Sequence, residues 1–243
     1  LLATAVFWAD RVEWDEDGRV CHIRDVIGPD EYKQRLTDNT YTNYMARNNL
    51  RLAVQIAERL EKEDPEYLEE LNNRWEICEM LPKIRRAAEG IYLPPVGKDG
   101  ILPQFAGYGK LQEMDLSYYK SFGKNAAAEI RKEHTVMELE SFRVHKQADL
   151  VLLLQLFPEL PEEAGGTQRR QVREKNYEFY EKHTLHEASY SFATHSLMAA
   201  SLGRTQEAYE LFCQCCDVDL SSDGENAPAG ILQPAWAASG SVW

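Results

Sequence analysis

Between Thr40 and Lys62 the apolar residues Tyr41, Tyr44, Met45, Leu52, Ile56 and Leu60 recur at helical spacing, with no glycine or proline among them. A run of that length and period can only be an amphipathic helix, and its apolar stripe has to be buried against other elements. The rest of the chain repeats the theme. Leu1 to Trp14 carries apolar residues at 1, 2, 5, 6, 8 and 12, and Asp64-Pro65 opens a further helix, through Leu68, Leu71, Trp75 and Cys78, to about Glu89. Helical character returns weakly near 125–133, strongly over 137–157, and again over 168–182, 188–202 and 205–218. Asp15 to Gly18 reads as a turn, and Val20 to Ile27 alternates like a short strand or extended arm closed by Gly28-Pro29. Gly90 to Gly109, rich in glycine and proline, has no helical period and reads as a long loop, the kind of segment that usually carries function. The pattern predicts six or seven substantial helices and no convincing sheet: an all-α fold with elaborated inter-helix loops.

Composition narrows the function. The 243 residues suffice for a real core. Forty acidic against 27 basic side chains leave a formal charge of −13, which disfavours a nucleic acid or an anionic membrane as partner. The longest apolar runs, such as Val151–Leu154, fall far short of the roughly 18 to 20 residues of a membrane span. No leader peptide is visible, and the opening Leu1-Leu2 without an initiator Met is that of an excised stretch. Five cysteines, an odd number in a chain this long, predict free thiols and a reducing, cytoplasmic compartment. The Cys213-Gln214-Cys215-Cys216 cluster lacks a second pair at zinc-like spacing, so no metal is expected.

Three stretches can carry chemistry. Gly28-Pro29-Asp30-Glu31-Tyr32 is a rigid turn displaying two adjacent carboxylates ahead of a helix that Asp38 or Asn39 can cap. An acid so displayed is where a general acid can sit; the alternative is a pair of surface charges, with Asp30 merely shaping the turn. Val144-His145-Lys146-Gln147-Ala148-Asp149 opens an apolar helix and offers a cation and an amide suited to vicinal sugar hydroxyls, or else an ordinary solvated helix start. Thr184-Leu185-His186-Glu187-Ala188-Ser189-Tyr190-Ser191 also starts a helix. Its N–H groups and hydroxyls suit an oxyanion such as phosphate, or it is a capping segment with His186 satisfied in a helix junction.

Taken in order, these stretches resemble glycoside hydrolase family 65, the maltose, kojibiose and trehalose phosphorylases. The resemblance runs from Phe7-Trp8 with Arg11-Val12, through Gly28–Tyr32 and Tyr41-Thr42-Asn43-Tyr44, to Gln104-Phe105-Ala106-Gly107-Tyr108. It continues with Lys146–Asp149, Tyr180 with Thr184-x-His186-Glu187, and Ala229-Gly230-Ile231. It implies part of an (α/α)6 barrel over residues 1–243. An N-terminal β-sandwich, the first part of the barrel (with a Trp-Asp sugar contact) and a C-terminal β domain are then expected outside this stretch.

The resemblance also implies a mechanism. Glu31 matches the general acid of an inverting phosphorolysis, which protonates the glycosidic oxygen while phosphate attacks the anomeric carbon from the opposite face. The products are β-glucose 1-phosphate and a free sugar. Lys146 and Gln147 match contacts to the transferred glucose. His186, Ser189 and the turn Ser239-Gly240-Ser241 match the phosphate pocket. Inorganic phosphate is a co-substrate, no cofactor is implied, and a homodimer fits. Two positions depart from the family pattern: Ala188 stands where a serine is usual, and Leu232 stands where a histidine is, with Trp236-Ala237 inserted-looking after it. Two other functions stay open: an inverting hydrolase with Glu187 or Glu225 as base, roughly 6.5 to 9.5 Å from Glu31, and a non-catalytic helical module that binds sugar or a partner.

Overall fold

The computed structural model describes residues 1–161 and 165–218. The chain forms two compact units, one of Leu1–Val26 with Arg35–Pro94, the other of Ile27–Gln34 with Pro95 onward.

In the first unit, α1 (Leu2–Arg11), α2 (Thr40–Glu63), α3 (Pro65–Trp75) and α4 (Ile77–Gly90) surround one apolar core. Asn39 starts α2 by accepting the Thr42 N–H at 2.9 Å. The buried residues Ala46, Leu50, Ala53 and Ala57 then stack along one stripe of α2. They meet Ala5 and Ala9 of α1 and Ile77, Ile84, Ala87 and Ala88 of α4, where the many alanines allow close approach. The helix predicted from Pro65 to about Glu89 is two helices, because Glu76 adopts a left-handed conformation (φ 51°) and Asn72 Oδ1 takes the Cys78 N–H at 2.8 Å. The arm after α1 is a hairpin of β1 (Glu13–Trp14) and β2 (Cys21–His22), closed by a turn in which Gly18 supplies the positive φ and Asp15 accepts from Arg19 N and Val20 N.

The second unit holds α5 (Ser117–Lys120), α6 (Ala126–Glu133), α7 (Val136–Leu139), α8 (Leu150–Leu156), α9 (Gly166–His183), α10 (Ser189–Leu202) and α11 (Thr205–Val218). Helix α10 is buried nearly all round and packs on α8, α9 and α11. A smaller apolar cluster joins Leu116, Tyr119, Ala126, Ala127, Ile130, Leu139, Val144 and Leu185 to Tyr32. The single helix predicted over 137–157 does not form. Residues 140–149 leave helical geometry, and there His145 N donates to His183 O (2.8 Å), Leu185 N to His145 O (2.9 Å) and Glu187 N to Lys146 O (2.9 Å). Pairing with 183–187 satisfies these backbone groups in place of a helix. Among the described residues no helix is long and apolar enough to cross a membrane.

Candidate active site

Within the second unit the three chemistry-bearing stretches come together. The turn at 28–32 is anchored from both sides of Glu31. On one side, Tyr32 is buried in the apolar cluster and its hydroxyl donates to Glu187 Oε2 at 3.1 Å. On the other, Asp30 is fully buried, which overturns its reading as a surface charge. Its Oδ1 accepts from Lys146 N (2.8 Å) and Tyr32 N (3.3 Å), and its Oδ2 from His145 Nδ1 (2.8 Å) and Gln104 Nε2 (3.1 Å). Burial alone would push this carboxyl up. The hydrogen bonds from His145 and Gln104, with the charge of nearby Lys33, outweigh burial and hold it below the usual carboxylate value.

Burial holds His145 below its usual value, against the opposing pull of Asp30. A neutral imidazole beside an ionised carboxylate must carry its proton on Nδ1. Its Nε2 then accepts from the Tyr108 hydroxyl at 2.9 Å, and burial keeps that phenol protonated. Lys33, also fully buried, donates to the carbonyls of Leu139 (2.8 Å), Glu140 (3.1 Å) and Phe142 (2.6 Å), tying the turn to the end of α7. Burial brings its ammonium down to about 8. None of Lys33, Gln104, Tyr108 and His145 was singled out for a role from the sequence, although Gln104, Tyr108 and His145 lie in quoted stretches.

Between these anchors Glu31 points outward, its side chain 56 % exposed, and its Oε2 lies 2.5 Å from Lys146 Nζ. The two side chains are therefore within reach of one small ligand. Gln147 is only 5 % exposed, and its amide donates to Pro29 O at 2.5 Å, so in this state it supports the turn. Tyr190, at the start of α10, reaches the same carbonyl and Ala148 O.

The sequence left two readings of His186, and the geometry is that of the junction. The imidazole is 4 % exposed; Nδ1 lies 2.9 Å from Ser191 Oγ and Nε2 3.1 Å from Glu181 Oε2. Ser191 Oγ in turn accepts from Ala148 N at 2.8 Å. The ring thus braces the 184–191 segment and is turned away from solvent, so it does not present a nitrogen to an anion. Ser189, half-buried, opens α10. Ser239, Gly240 and Ser241, with Glu225 and Leu232, lie outside the described residues.

Glu181, His186 and His195 bring ligand-type atoms within 4.8 Å of one another. Their spacing is that of hydrogen bonds: Glu181 Oε2 is 2.5 Å from His195 Nδ1, and Lys120 Nζ sits 2.9 Å from Oε1. A cation on His195 Nδ1 would force its proton onto Nε2, which is buried without an acceptor. The group is a hydrogen-bonded hub with Lys120 as its cation. Burial takes His186 down to about 4, while its neighbours hold Glu181 well below the carboxylate range despite burial.

Comparison with known proteins identifies the family. Residues 1–241 match the model of the glycosyl hydrolase family 65 central catalytic domain. The chain is 34 % identical, over its whole length, to 29 % of a kojibiose phosphorylase of Halothermothrix orenii. It is also 34 % identical, over 95 % of its length, to 29 % of an α,α-trehalose phosphorylase of Geobacillus stearothermophilus. A nigerose phosphorylase of Lachnoclostridium phytofermentans is 30 % identical over 93 % of the chain, again matching 29 % of the relative. The chain therefore spans about three-tenths of the length of these relatives. A solved structure provisionally assigned as a kojibiose phosphorylase from the human microbiome superposes on 98 % of the chain and 34 % of its own, with a TM-score of 0.79 at 23 % identity. The all-α architecture is thus the helical fold of that family's (α/α)6-barrel domain. The chain belongs to glycosyl hydrolase family 65, within the central catalytic domain.

Proposed function

We propose that this protein is an inverting disaccharide phosphorylase that cleaves an α-glucosidic bond with Glu31 as its general acid. The observation that carries the reading is the exposed Glu31 carboxylate 2.5 Å from Lys146, on a turn held by the buried Asp30. Rigid display fixes where the proton is delivered. The adjacent ammonium is placed to take hydroxyls of the glucose being transferred, with Gln147 beside it. Glu31 protonates the glycosidic oxygen as the C–O bond breaks, and phosphate forms the new bond from the other face, giving β-glucose 1-phosphate and a free sugar. One enzymic carboxylate suffices because phosphate is already an anionic nucleophile. The start of α10, with Ser189, is the described segment we assign to phosphate, together with Ser239, Gly240 and Ser241; His186 supports it from behind. The reaction then needs no cofactor beyond inorganic phosphate.

The named relatives support the substrate class, since they are phosphorylases of kojibiose, nigerose and trehalose. The hydrolase alternative has less support. Both oxygens of Glu187, the candidate base among the described residues, are engaged, one by Arg131 and one by Tyr32. Five thiols free of disulfides agree with a cytoplasmic setting.

The test is to supply the full-length protein with kojibiose, nigerose, trehalose and maltose, with and without phosphate. The reading predicts β-glucose 1-phosphate from at least one disaccharide, with turnover strictly dependent on phosphate. Equal sugar release without phosphate would establish the hydrolase instead. No turnover of any of the four in either condition would leave only a non-catalytic module.

A further inference from the structure

We propose that His145 is a positioning residue for this reaction, its imidazole and the next backbone N–H clamping the Asp30 carboxylate so that Glu31 and Lys146 are held in register. The inference rests on the reading of Glu31 as acid and Lys146 as glucose contact, and adds a residue that touches neither sugar nor phosphate.

The geometry is that of a two-point clamp. Consecutive donors from one dipeptide, the His145 ring and the Lys146 amide, each reach a different oxygen of the same carboxylate at 2.8 Å. Two contacts to a planar group fix orientation as well as distance, as in other bidentate pairs. The residue following Asp30 is Glu31 and the residue following His145 is Lys146, so the clamp ends directly in the two functional groups. Its far side is equally constrained. The His145 backbone is paired on both faces, through His183 O and Leu185 N, and its Nε2 is held by Tyr108. Tyr108 also stacks on the ring, with centroids 5.7 Å apart and planes 15° from parallel. The imidazole therefore cannot turn without breaking its contacts to Asp30 and Tyr108. Without its Nδ1–H, Asp30 retains the Lys146 and Tyr32 amides on Oδ1 but only Gln104 on Oδ2, so it can pivot about Oδ1, and Glu31 moves with it. A displacement of about 1 Å at a reacting group is enough to cost on the order of 10²-fold in rate.

The two ring nitrogens can be separated by substitution. An asparagine amide reaches the position of Nδ1 and preserves a donor to Asp30, whereas a glutamine amide reaches the position of Nε2 and faces Tyr108. In the full-length protein, His145→Gln is expected to lower kcat about 10²-fold, with the KM for phosphate changed by no more than a few-fold. His145→Asn is expected to recover to within about ten-fold of the parent, at a melting temperature no higher than that of His145→Gln. A bracing role alone would make activity follow melting temperature. The inference is overturned if Gln is no worse than Asn, or if both retain kcat within about three-fold of the parent.

A readout without substitution is selective 15N labelling of histidine in the parent. The expected resonance is a ring protonated on Nδ1, and the Nε2–H tautomer, which leaves no donor facing Asp30, would overturn the clamp. Glu31→Gln assayed alongside separates the two readings. If that variant keeps its turnover, the proposed function fails; if it is inactive while His145→Gln is active, the positioning role alone fails.

Discussion

The two compact units bury different things. In the first, the interior is a continuous apolar cluster from Leu2 to Ile91, and its buried polar residues, Asp38, Asn39, Thr40 and Asn43, sit together at the entry to α2. The second buries Asp30, Lys33, Gln104, Gln147, Asp149 and four of the six histidines, His145, His183, His186 and His195. Apolar packing holds a shape at little risk, because removing a methyl leaves only a void. A buried polar network must be fully satisfied, and each lost partner leaves a charge or donor stranded in low dielectric. Using such a network fixes donor and acceptor directions, which is what aiming a carboxylate requires. The difference separates scaffold from site.

Asp30→Ala tests the polar side of this contrast hardest. It removes one acceptor from four donors, and breaking a buried charged arrangement of this kind costs about 3–5 kcal/mol. Turnover should fall with the melting temperature. Ile84→Ala probes the apolar side. Ile84 is fully buried in the first unit, so the loss should be about 2–5 kcal/mol in denaturant unfolding, with kcat unchanged at a temperature where the variant is folded. A large fall in kcat there would erase the distinction.

Acid titration is expected to act on the polar unit through His186. Its ordinary value of 6.5 falls to about 4 on burial. Above pH 6.5 the ring is neutral whether the chain is folded or not. As pH drops from 6.5 towards 4, the unfolded chain takes up a proton that the folded one refuses, and stability is lost, by about 3 kcal/mol once pH is below both values. His186→Asn, which tolerates the left-handed backbone at that position (φ 54°), should flatten this part of the pH–stability curve. An unchanged slope would show that the ring titrates freely. The smallest effect belongs to the exposed Arg59–Glu63 pair on α2, where Arg59→Ala should leave the melting temperature within experimental error.

The amphipathic helices were legible because their burial follows the 3.6-residue period, as Ala46, Leu50, Ala53 and Ala57 illustrate. The break at 140–149 was not. Val144 and Ala148 are buried and stand with Val151 of α8 at i, i+4 and i+7, imitating one continuous stripe, while the backbone around 145 pairs with a segment some forty residues downstream. Glu31 and Lys146 could be paired in advance through the family resemblance. Asp30 could not be told from a surface charge, since nothing local reveals that His145, Gln104 and the Lys146 amide converge on it. Lys33, Glu181 and His195 were hidden for the same reason: long-range partners decide whether a charged side chain is buried.

The central claim is that Glu31 delivers the proton. In the full-length protein, Glu31→Gln removes that proton while keeping the size of the side chain. Because the proton is needed only as charge develops on the leaving oxygen, the loss should fall on the transition state. Turnover of the preferred disaccharide should drop by at least about 10² to 10⁴-fold, while disaccharide affinity, measured by equilibrium binding, stays within a few-fold of the parent. If Glu31→Gln turns over within a few-fold of the parent, the acid lies elsewhere and the mechanism is wrong.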